Sequence, residues 1–315
     1  MNYPLGLLER INGVKFNEPL AEHTTFKIGG PAEFWVEPQD TAELNSLIKA
    51  AKNKNIPILV IGAGSNILCA DSGIKGIVIS LNSDYFKKIE AKKDEILCGA
   101  GVRLASLVEK AHAFALGGIE FLSGIPGTVG GALTMNAGIS ENVRVSECQS
   151  VREGKKIRKI RSIGDIVEEV SVMDYAGNIM TLKRKELDFS YRRSNLSDYV
   201  ILDANFKLFK KDKEEIKNEI NKYLDYRKRT QDISSPSAGC IFKNPPQESS
   251  GRLIDLCGLK GKSIGDAFIS LKHANFILNK GRAKAEDVLG LITLVKREVK
   301  VRFGVDLEPE IKIWQ

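Results

Sequence analysis

Clustered metal-binding and disulfide-forming residues are missing from this sequence. Its 315 residues include three histidines and five cysteines, and the cysteines are widely scattered without a Cys-x-x-Cys pair. Structural zinc sites and disulfide frameworks use closely spaced ligands or paired cysteines, so neither is expected. Long hydrophobic segments are also missing: no apolar run reaches the roughly 18 residues of a membrane span, and the N-terminus does not resemble a signal peptide. We therefore expect a globular cytoplasmic protein with reduced thiols and no bound metal.

Positive charge is concentrated in one short segment. The formal net charge is +7, and residues 152–161 alone carry six basic residues against one acidic residue. Five of the seven net charges therefore lie in ten residues. A solvated basic loop or edge hairpin explains such a run, and attraction of an anionic partner such as a nucleic acid is the alternative.

Glycine is concentrated in two segments. Residues 123–138 contain five glycines and one proline, and Gly62-Ala-Gly-Ser-Asn66 follows an apolar, strand-like run. Loops of this kind can present backbone N–H groups to a phosphate-rich ligand. The third glycine of a dinucleotide-binding fingerprint and the lysine of a P-loop are both missing. Ordinary tight turns between sheet elements are the alternative interpretation.

The spacing of apolar residues predicts an α+β fold. Helical spacing marks a helix capped by Thr41 with Leu44, Leu47, Ile48 and Ala51 inward, a second helix over residues 104–114, and a long helix over 285–303 closed by Gly304. Strands are expected at residues 56–61, 76–81, 96–99, 167–175, 178–182 and 200–208, with a hairpin turn at 176–178.

The chain divides into two expected domains and a tail. A charged helix over residues 211–229, with Ile216, Ile220, Tyr223 and Leu224 on one side, is expected to bridge the domains. We expect domains at 1–209 and 210–304. The tail, 305–315, is expected to form a strand with Leu307, Ile311 and Ile313 on one face and Glu308, Glu310 and Lys312 on the other.

Three residues outside the glycine segments are candidates for chemistry. Arg192 lies beside an aromatic residue and is suited to hold a carboxylate or oxyanion at two points, although a surface ion pair is equally compatible. Cys240 lies between a glycine and an apolar pair, where a small core residue is the plainer interpretation. Glu310 has charged neighbours, and the alternative interpretation is that it is an exposed carboxylate without a role in chemistry.

Taken in order, these segments resemble the UDP-N-acetylenolpyruvoylglucosamine reductases of bacterial cell-wall synthesis. The resemblance covers nearly the whole chain and rests on residues 23–32, 62–66, 123–131 with 135–138, 189–192, 238–245 and 307–311. It implies an FAD-binding domain of the vanillyl-alcohol-oxidase type, built from two α+β subdomains, followed by an α+β substrate-binding domain. FAD would be the bound cofactor and NADPH the cosubstrate.

The resemblance also assigns residues. FAD would be held by Gly62, Ala63, Gly64, Ser65, Asn66, Pro126, Gly127, Thr128, Gly130, Gly131, Asn136 and Gly138. Tyr191, Lys243 and Asn244 would bind the UDP-sugar substrate. Arg192 would stabilise the negative charge that follows hydride transfer, Cys240 would protonate the neighbouring carbon, and Glu310, returned by the tail, would orient or polarise the enol system.

Two departures from the family pattern stand out. The family usually has serine where this chain has Cys240, and an ordinary thiol pKa of about 8.5 predicts that substrate reduction fails at alkaline pH. An apparent insertion near residues 148–165 includes the basic run and has no family role. The chain resembles the shorter branch of the family, which lacks an extra tyrosine-bearing loop.

Two competing functions are a flavin-dependent alcohol or lactone oxidase of the same fold and a nucleic-acid-binding protein.

Overall fold

The computed structural model describes residues 13–144, 156–246 and 248–315, with the backbone alone for 140–144 and 156–160. The α-helices in these ranges are α1 (Thr41–Asn53), α2 (Leu104–Ala113), α3 (Val129–Thr134), α4 (Lys213–Thr230), α5 (Ser250–Leu256) and α6 (Ala285–Phe303). The first ten strands are β1 (Lys15–Pro19), β2 (Pro31–Val36), β3 (Ile58–Ile61), β4 (Ile67–Cys69), β5 (Ile74–Ser80), β6 (Ile89–Lys92), β7 (Glu95–Gly99), β8 (Leu116–Gly117), β9 (Gly138–Arg144) and β10 (Lys156–Ser162). The others are β11 (Val167–Met173), β12 (Ile179–Lys183), β13 (Phe189–Ser190), β14 (Arg193–Ser194), β15 (Val200–Lys207), β16 (Phe209–Lys210), β17 (Ser263–Ile264), β18 (Ala267–Ile269), β19 (Ile277–Asn279) and β20 (Lys312–Trp314).

Two sheets enclose the larger core. The first has the order β1-β2-β5-β3, in which β2, β5 and β3 are parallel, and the second is antiparallel with the order β12-β11-β15-β7-β6. Helix α1 covers one face of the first sheet through its buried face of Leu44, Leu47, Ile48 and Ala51, as predicted. A smaller cluster that includes Leu20, Trp35 and Val78 covers the other face. Burial on both faces explains why β3 and residues 77–79 of β5 are apolar without interruption.

The ends of the first two helices differ from the prediction. Thr41 is the first helical residue, and the cap is Asp40, whose carboxylate accepts the backbone N–H of Glu43 at 2.8 Å. Both residue types are good caps, and it is Asp40 that has the extended backbone this position requires. The second helix ends at Ala113, so Phe114 caps it and is 43% exposed.

Helix α4 packs on the larger core. Ile216 is buried, and Ile220 and Tyr223 pack against the same cluster as the two sheets. Leu224, which we placed on the inward side, is 42% exposed and does not belong to that cluster. The helix that was expected to bridge the domains therefore has its apolar side on the first of them.

The second core lies around α6 and the sheet β17-β18-β19. Val288, Ile292, Val295 and Val299 of α6 point inward as predicted, and Gly304 ends the helix in the left-handed conformation, with φ 69°. Three residues from the N-terminal half, Phe26, Ile28 and Leu68, belong to this same buried cluster. The two domains are thus joined by shared apolar packing.

The C-terminal tail forms a shorter strand than expected. Only Lys312–Trp314 is a strand, and it pairs in parallel with β4. Leu307 and Ile311 are buried as predicted, whereas Ile313 is 37% exposed. The predicted alternation breaks because residues before 312 are not in a regular strand: Pro309 makes a single bridge to Phe242, and Glu310 donates its backbone N–H to Ile241.

The basic segment borders a hairpin. Strand β10 pairs antiparallel with β9 over seven residue pairs, from Lys156 opposite Arg144 to Ser162 opposite Gly138. Strand β10 contains the second half of the basic run, which agrees with the interpretation as an edge hairpin. Residues 145–155, with Cys148 and the first half of that run, lie outside the described residues.

None of the helices in the described residues is both long and apolar enough to cross a bilayer. Within the same ranges, no three His, Cys, Asp or Glu side chains are grouped so that they could hold a metal ion.

Candidate active site

A cavity of about 2230 Å³ lies where the two domains meet. Its walls include both glycine segments, the turn between β13 and β14, the segment 233–240 and the C-terminal tail. Arg192, Cys240 and Glu310, the three residues predicted to carry chemistry, all line it. The fold therefore brings together residues that are 48 to 118 positions apart in the sequence.

The two glycine segments contact each other. Ser65 donates its hydroxyl to the carbonyl of Pro126 at 2.8 Å. A Cβ on Gly62 would lie 2.4 Å from the hydroxyl of Thr128, and one on Gly64 would lie 2.1 Å from the carbonyl of His23. These two glycines are thus required by close protein packing, a reason that differs from the contact with a ligand inferred from the sequence.

The same segments fit a phosphate-bearing cofactor. The backbone N–H groups of Ala63, Gly64 and Ser65 donate to no acceptor within the described parts of the chain, and all three residues line the cavity. Unpaired N–H groups in a glycine-rich turn form an anion-binding concavity. At Gly131 the nearest atom to an added Cβ is the Thr128 hydroxyl, 3.6 Å away, so space remains in front of this glycine. The pyrophosphate of FAD would be held by residues 62–66, with the flavin nearer to residues 126–138.

Arg192 is held in a strained turn. It lies between β13 and β14 with φ 57°, a left-handed conformation that is uncommon for a residue with a side chain. Its Nε donates to Glu310 Oε1 at 2.6 Å, and one Nη donates to the carbonyl of Gly138 at 3.2 Å. The second Nη has no acceptor among the residues described here. The guanidinium is therefore fixed by two contacts and keeps donors available at the cavity.

Glu310 is placed by the returning tail. The backbone of Glu310 is fixed from both sides, because its carbonyl accepts from Asn66 Nδ2 at 3.2 Å and its N–H donates to Ile241. Its side chain is 13% exposed. Burial raises the pKa of the Glu310 carboxyl, and the adjacent Arg192 opposes that rise. Glu310 is thus a mostly buried group, contrary to the reading as an exposed carboxylate.

Cys240 faces the cavity from the second domain. Its backbone bridges that of Phe276, and the side chain is partly exposed on the cavity wall. Burial raises the pKa of the Cys240 thiol to about 12; the nearby Glu310 carboxylate adds to the rise, and Arg192 and Arg227 oppose it. The expectation of an ordinary thiol pKa is therefore wrong for this environment, and Cys240 is a neutral thiol throughout the usual pH range.

Three of the sequence-assigned binding residues do not line the cavity. Asn136 uses its side chain within the protein, accepting from Gly164 N–H at 3.1 Å and donating to the carbonyl of Ser190 at 2.9 Å. Lys243 points to Glu308 at 2.5 Å, and the Tyr191 hydroxyl accepts the backbone N–H of Asn244 at 3.4 Å. Asn244 does line the cavity. Asn136 and Tyr191 therefore support the turn that holds Arg192.

Four residues with unpaired polar atoms line the cavity, and the sequence analysis did not assign a role to any of them. In the described residues, the buried side-chain polar atoms without a hydrogen-bond partner are Ser123 Oγ, Arg227 Nε, Gln231 Oε1 and His273 Nδ1. All four residues line the cavity. Buried polar groups are normally paired, so this group indicates a polar ligand. The sequence signal was weak, because Arg227 lies in a helix with many charges.

Comparisons with known proteins agree with this geometry. Residues 231–314 match the family "UDP-N-acetylenolpyruvoylglucosamine reductase, C-terminal domain", and residues 32–183 match an "FAD binding domain". Curated relatives named UDP-N-acetylenolpyruvoylglucosamine reductase include one from Clostridium novyi, 38% identical over 95% of this chain and 92% of its own length. Another, from Agathobacter rectalis, is 40% identical over 98% of this chain and 94% of its own length.

A solved structure is similar over almost the whole chain. The UDP-N-acetylenolpyruvylglucosamine reductase from Thermus caldophilus is 37% identical, with a TM-score of 0.75 over 94% of this chain and 97% of that one. The α+β class, with an FAD-binding domain followed by the family's C-terminal domain, is confirmed. The chain belongs to the UDP-N-acetylenolpyruvoylglucosamine reductase family.

Proposed function

We propose that this protein reduces the enolpyruvyl ether of UDP-N-acetylglucosamine to UDP-N-acetylmuramate for peptidoglycan precursor synthesis, with bound FAD and with NADPH as reductant. The observation that carries the proposal is the convergence of Arg192, Cys240 and Glu310 on one cavity that also contains both glycine segments. Family membership supports the same activity. We place the reaction in the cytoplasm and infer no obligate protein partner.

FAD held by residues 62–66 and 126–138 would supply the hydride, received from NADPH, for the terminal enolpyruvyl carbon of the substrate. Hydride addition creates negative charge on the neighbouring carbon and the carboxylate, and the protein must stabilise that charge. Arg192 is suited to this task, because its guanidinium is held by Glu310 and Gly138 before any substrate arrives. A preorganised cation stabilises developing charge without having to reorganise during the reaction.

A proton is then needed at the carbon next to the carboxylate. The neutral Cys240 thiol donates it, and the thiolate that remains lies near the Arg192 and Arg227 guanidinium groups, both of which lower its pKa. A carbanion next to a carboxylate is far more basic than a thiolate, so even a thiol with a raised pKa can protonate it. Glu310 fixes the orientation of Arg192 and faces the same reacting system.

We propose that the two domains bind different ligands. We propose that residues 1–209 bind FAD, residues 210–304 bind the UDP-sugar, and the tail 305–315 returns Glu310. Helix α4 lies at this boundary, since it packs on the first core and places Arg227 at the cavity. The unpaired atoms of Arg227, Gln231 and His273 support a polar substrate such as a UDP-sugar on this side.

Spectroscopy of the purified protein tests the proposal. We expect a yellow protein whose flavin absorption is bleached by NADPH and restored, without oxygen, by the UDP-enolpyruvyl sugar. The competing hypothesis, a flavin oxidase of the same fold, predicts rapid recolouring by air in the absence of any UDP-sugar. The comparisons do not favour that alternative. A colourless protein that does not bind added FAD would contradict both.

A further inference from the structure

The hairpin of strands β9 and β10 starts at the wall of the cavity. Gly138, the first residue of β9, lines the cavity, and so does the next residue, Ile139. The carbonyl of Gly138 accepts one Nη of Arg192 at 3.2 Å. Gly138 also lies opposite Ser162, the last residue of β10. Both strands therefore leave the cavity wall beside the guanidinium group to which we assigned charge stabilisation.

The base of the hairpin is held by contacts with the rest of the first domain. Ile163, which follows β10, donates its N–H to the carbonyl of Ala137 at 2.8 Å. The N–H of Gly164 donates to the side chain of Asn136 at 3.1 Å. A Cβ on Gly138 would lie 2.1 Å from a backbone carbonyl of β10, so the two strands are closely packed at this point. The position of the hairpin relative to the cavity is thus fixed at its base.

The two strands of this hairpin carry a net charge of +4. Their basic residues are Arg144, Lys156, Arg158, Lys159 and Arg161, and their acidic residue is Glu141. The residues that line the cavity are more nearly balanced, with seven basic and five acidic side chains and a net charge of +2. The hairpin therefore contributes more net positive charge than the whole cavity wall.

We propose that the β9–β10 hairpin steers anionic nucleotides, NADPH and the UDP-enolpyruvyl sugar, toward the cavity. The inference rests on the ligands of the proposed function. NADPH carries a diphosphate and a phosphate monoester, and the UDP-sugar carries a diphosphate and a carboxylate, so both are strongly negative. Charge of opposite sign beside a binding cleft raises the association rate of a ligand by about 10- to 10³-fold, and this gain falls steeply with ionic strength. Steering depends on the charge of the hairpin and on no fixed contact with the ligand.

The reach of the effect follows from the strand geometry. Lys159 lies opposite Glu141, about 10 Å along β9 from Gly138 at a rise of about 3.3 Å per residue. Lys156 lies opposite Arg144, about 20 Å along the same strand. Dissolved salt screens charges over about 8 Å at physiological ionic strength and over about 30 Å at about 0.01 M salt. At low salt the whole hairpin therefore acts at the cavity wall, and at physiological ionic strength mainly the half near its base does.

Stopped-flow bleaching of the flavin by NADPH tests the proposal on the full-length, FAD-bound protein. The main variant combines Lys156→Gln, Arg158→Gln, Lys159→Gln and Arg161→Gln. At about 0.01 M salt, we expect its second-order rate constant at low NADPH to be about tenfold or more below that of the parent, with an unchanged limiting rate at saturating NADPH. The difference should fall below about twofold at about 0.5 M salt. NADH, which lacks the phosphate monoester, should show a smaller loss.

A second ligand and two further variants separate charge from contact and from folding. Anaerobic recolouring of the reduced flavin by the UDP-enolpyruvyl sugar should lose rate in the same salt-dependent way. Lys156→Glu with Lys159→Glu makes the same change of four charges through two substitutions and should show the same loss. Lys156→Arg with Lys159→Arg keeps the charge and should behave like the parent.

The matched control removes four charges from a part of the surface that does not line the cavity. It replaces four exposed lysines with glutamine, Lys87, Lys88, Lys92 and Lys93, and should have a much smaller effect. An equal loss in this control would refute local steering. Parental rate constants at low salt, a loss that persists at high salt, or a loss confined to one of the two ligands would also overturn the inference. If NADPH does not bleach the flavin of the parent, the proposed function itself is wrong.

Discussion

Replacing Cys240 with serine is expected to leave the pH dependence of substrate reduction unchanged. The sequence alone suggested the opposite, because an ordinary thiol begins to ionise near pH 8.5 and then cannot donate a proton. In the structure, burial and the Glu310 carboxylate raise the pKa of the thiol to about 12. Both Cys240 and its serine replacement would therefore stay protonated in the range where the enzyme can be assayed.

The size of the effect follows from the two pKa values. At pH 9 an ordinary thiol is about three quarters ionised, whereas a thiol with a pKa of about 12 is about 0.1% ionised. Alkylating reagents react with the thiolate, so Cys240 should react with iodoacetamide on the order of a thousandfold more slowly than free cysteine. Chemical inactivation through this residue is therefore expected to be slow.

Rapid mixing separates the two half-reactions. Enzyme reduced by NADPH is mixed anaerobically with the UDP-enolpyruvyl sugar between pH 6.5 and 10, and flavin recolouring is followed. We expect flat profiles for the parent and Cys240→Ser, and a loss of about 10²- to 10⁴-fold for Cys240→Ala with NADPH reduction intact. Cys257→Ser, outside the cavity, is the matched control. A decline near pH 8.5 in the parent that disappears in Cys240→Ser would refute the reasoning.

Three further substitutions test other parts of the site. Arg192→Lys should keep FAD binding and NADPH reduction but slow substrate reduction by about 10²- to 10³-fold, because lysine cannot make the fixed two-point contact. Arg193→Lys, at the adjacent position, is the control and should have little effect. Slowed bleaching by NADPH with a normal substrate step would contradict this prediction. Without flavin, Gly131→Val should have a normal melting temperature, since an added Cβ meets only the Thr128 hydroxyl at 3.6 Å. Added FAD should not raise that melting temperature. A normally yellow variant would show that no cofactor contacts this glycine. The pKa of Glu310 is higher in the folded protein than in the unfolded chain, so the folded protein keeps a proton that the unfolded chain has released. The stability of the parent relative to Glu310→Gln should therefore fall as the pH rises above about 4.5. If melting temperatures show the parent gaining stability over the variant as the pH rises, the predicted direction is wrong.

The sequence predicted those features that depend on local periodicity. The inward faces of α1 and α6 follow from apolar residues at helical spacing. Six of the nine strands in the two large sheets were placed to within two residues, whereas β1, β2 and β6 were not predicted. The cap at Asp40 was missed because Thr41 is also a good cap by residue type, and the backbone angles that place the cap at Asp40 are a property of the folded chain.

The candidate site could be predicted only in part. The resemblance to a family located Arg192, Cys240 and Glu310, but their environments depend on contacts between distant segments. The raised pKa of Cys240 arises from burial between domains, and the left-handed turn at Arg192 depends on support from Asn136. Arg227 and His273 had no distinguishing pattern, because an unpaired buried atom is a property of the folded molecule.

The pairing of β20 with β4 has a consequence for motion and folding. Lys312 lies opposite Ile67, so the strand pair closes a loop of about 245 residues around both cores. A hinge motion that separated these two strands would break their pairing, so we expect ligand exchange to occur without their separation. Contacts between such distant residues also form slowly, because the chain between them has to be ordered first. Leu307 and Ile311 belong to the second core, so we expect the carboxylate of Glu310 to reach Arg192 as that core forms.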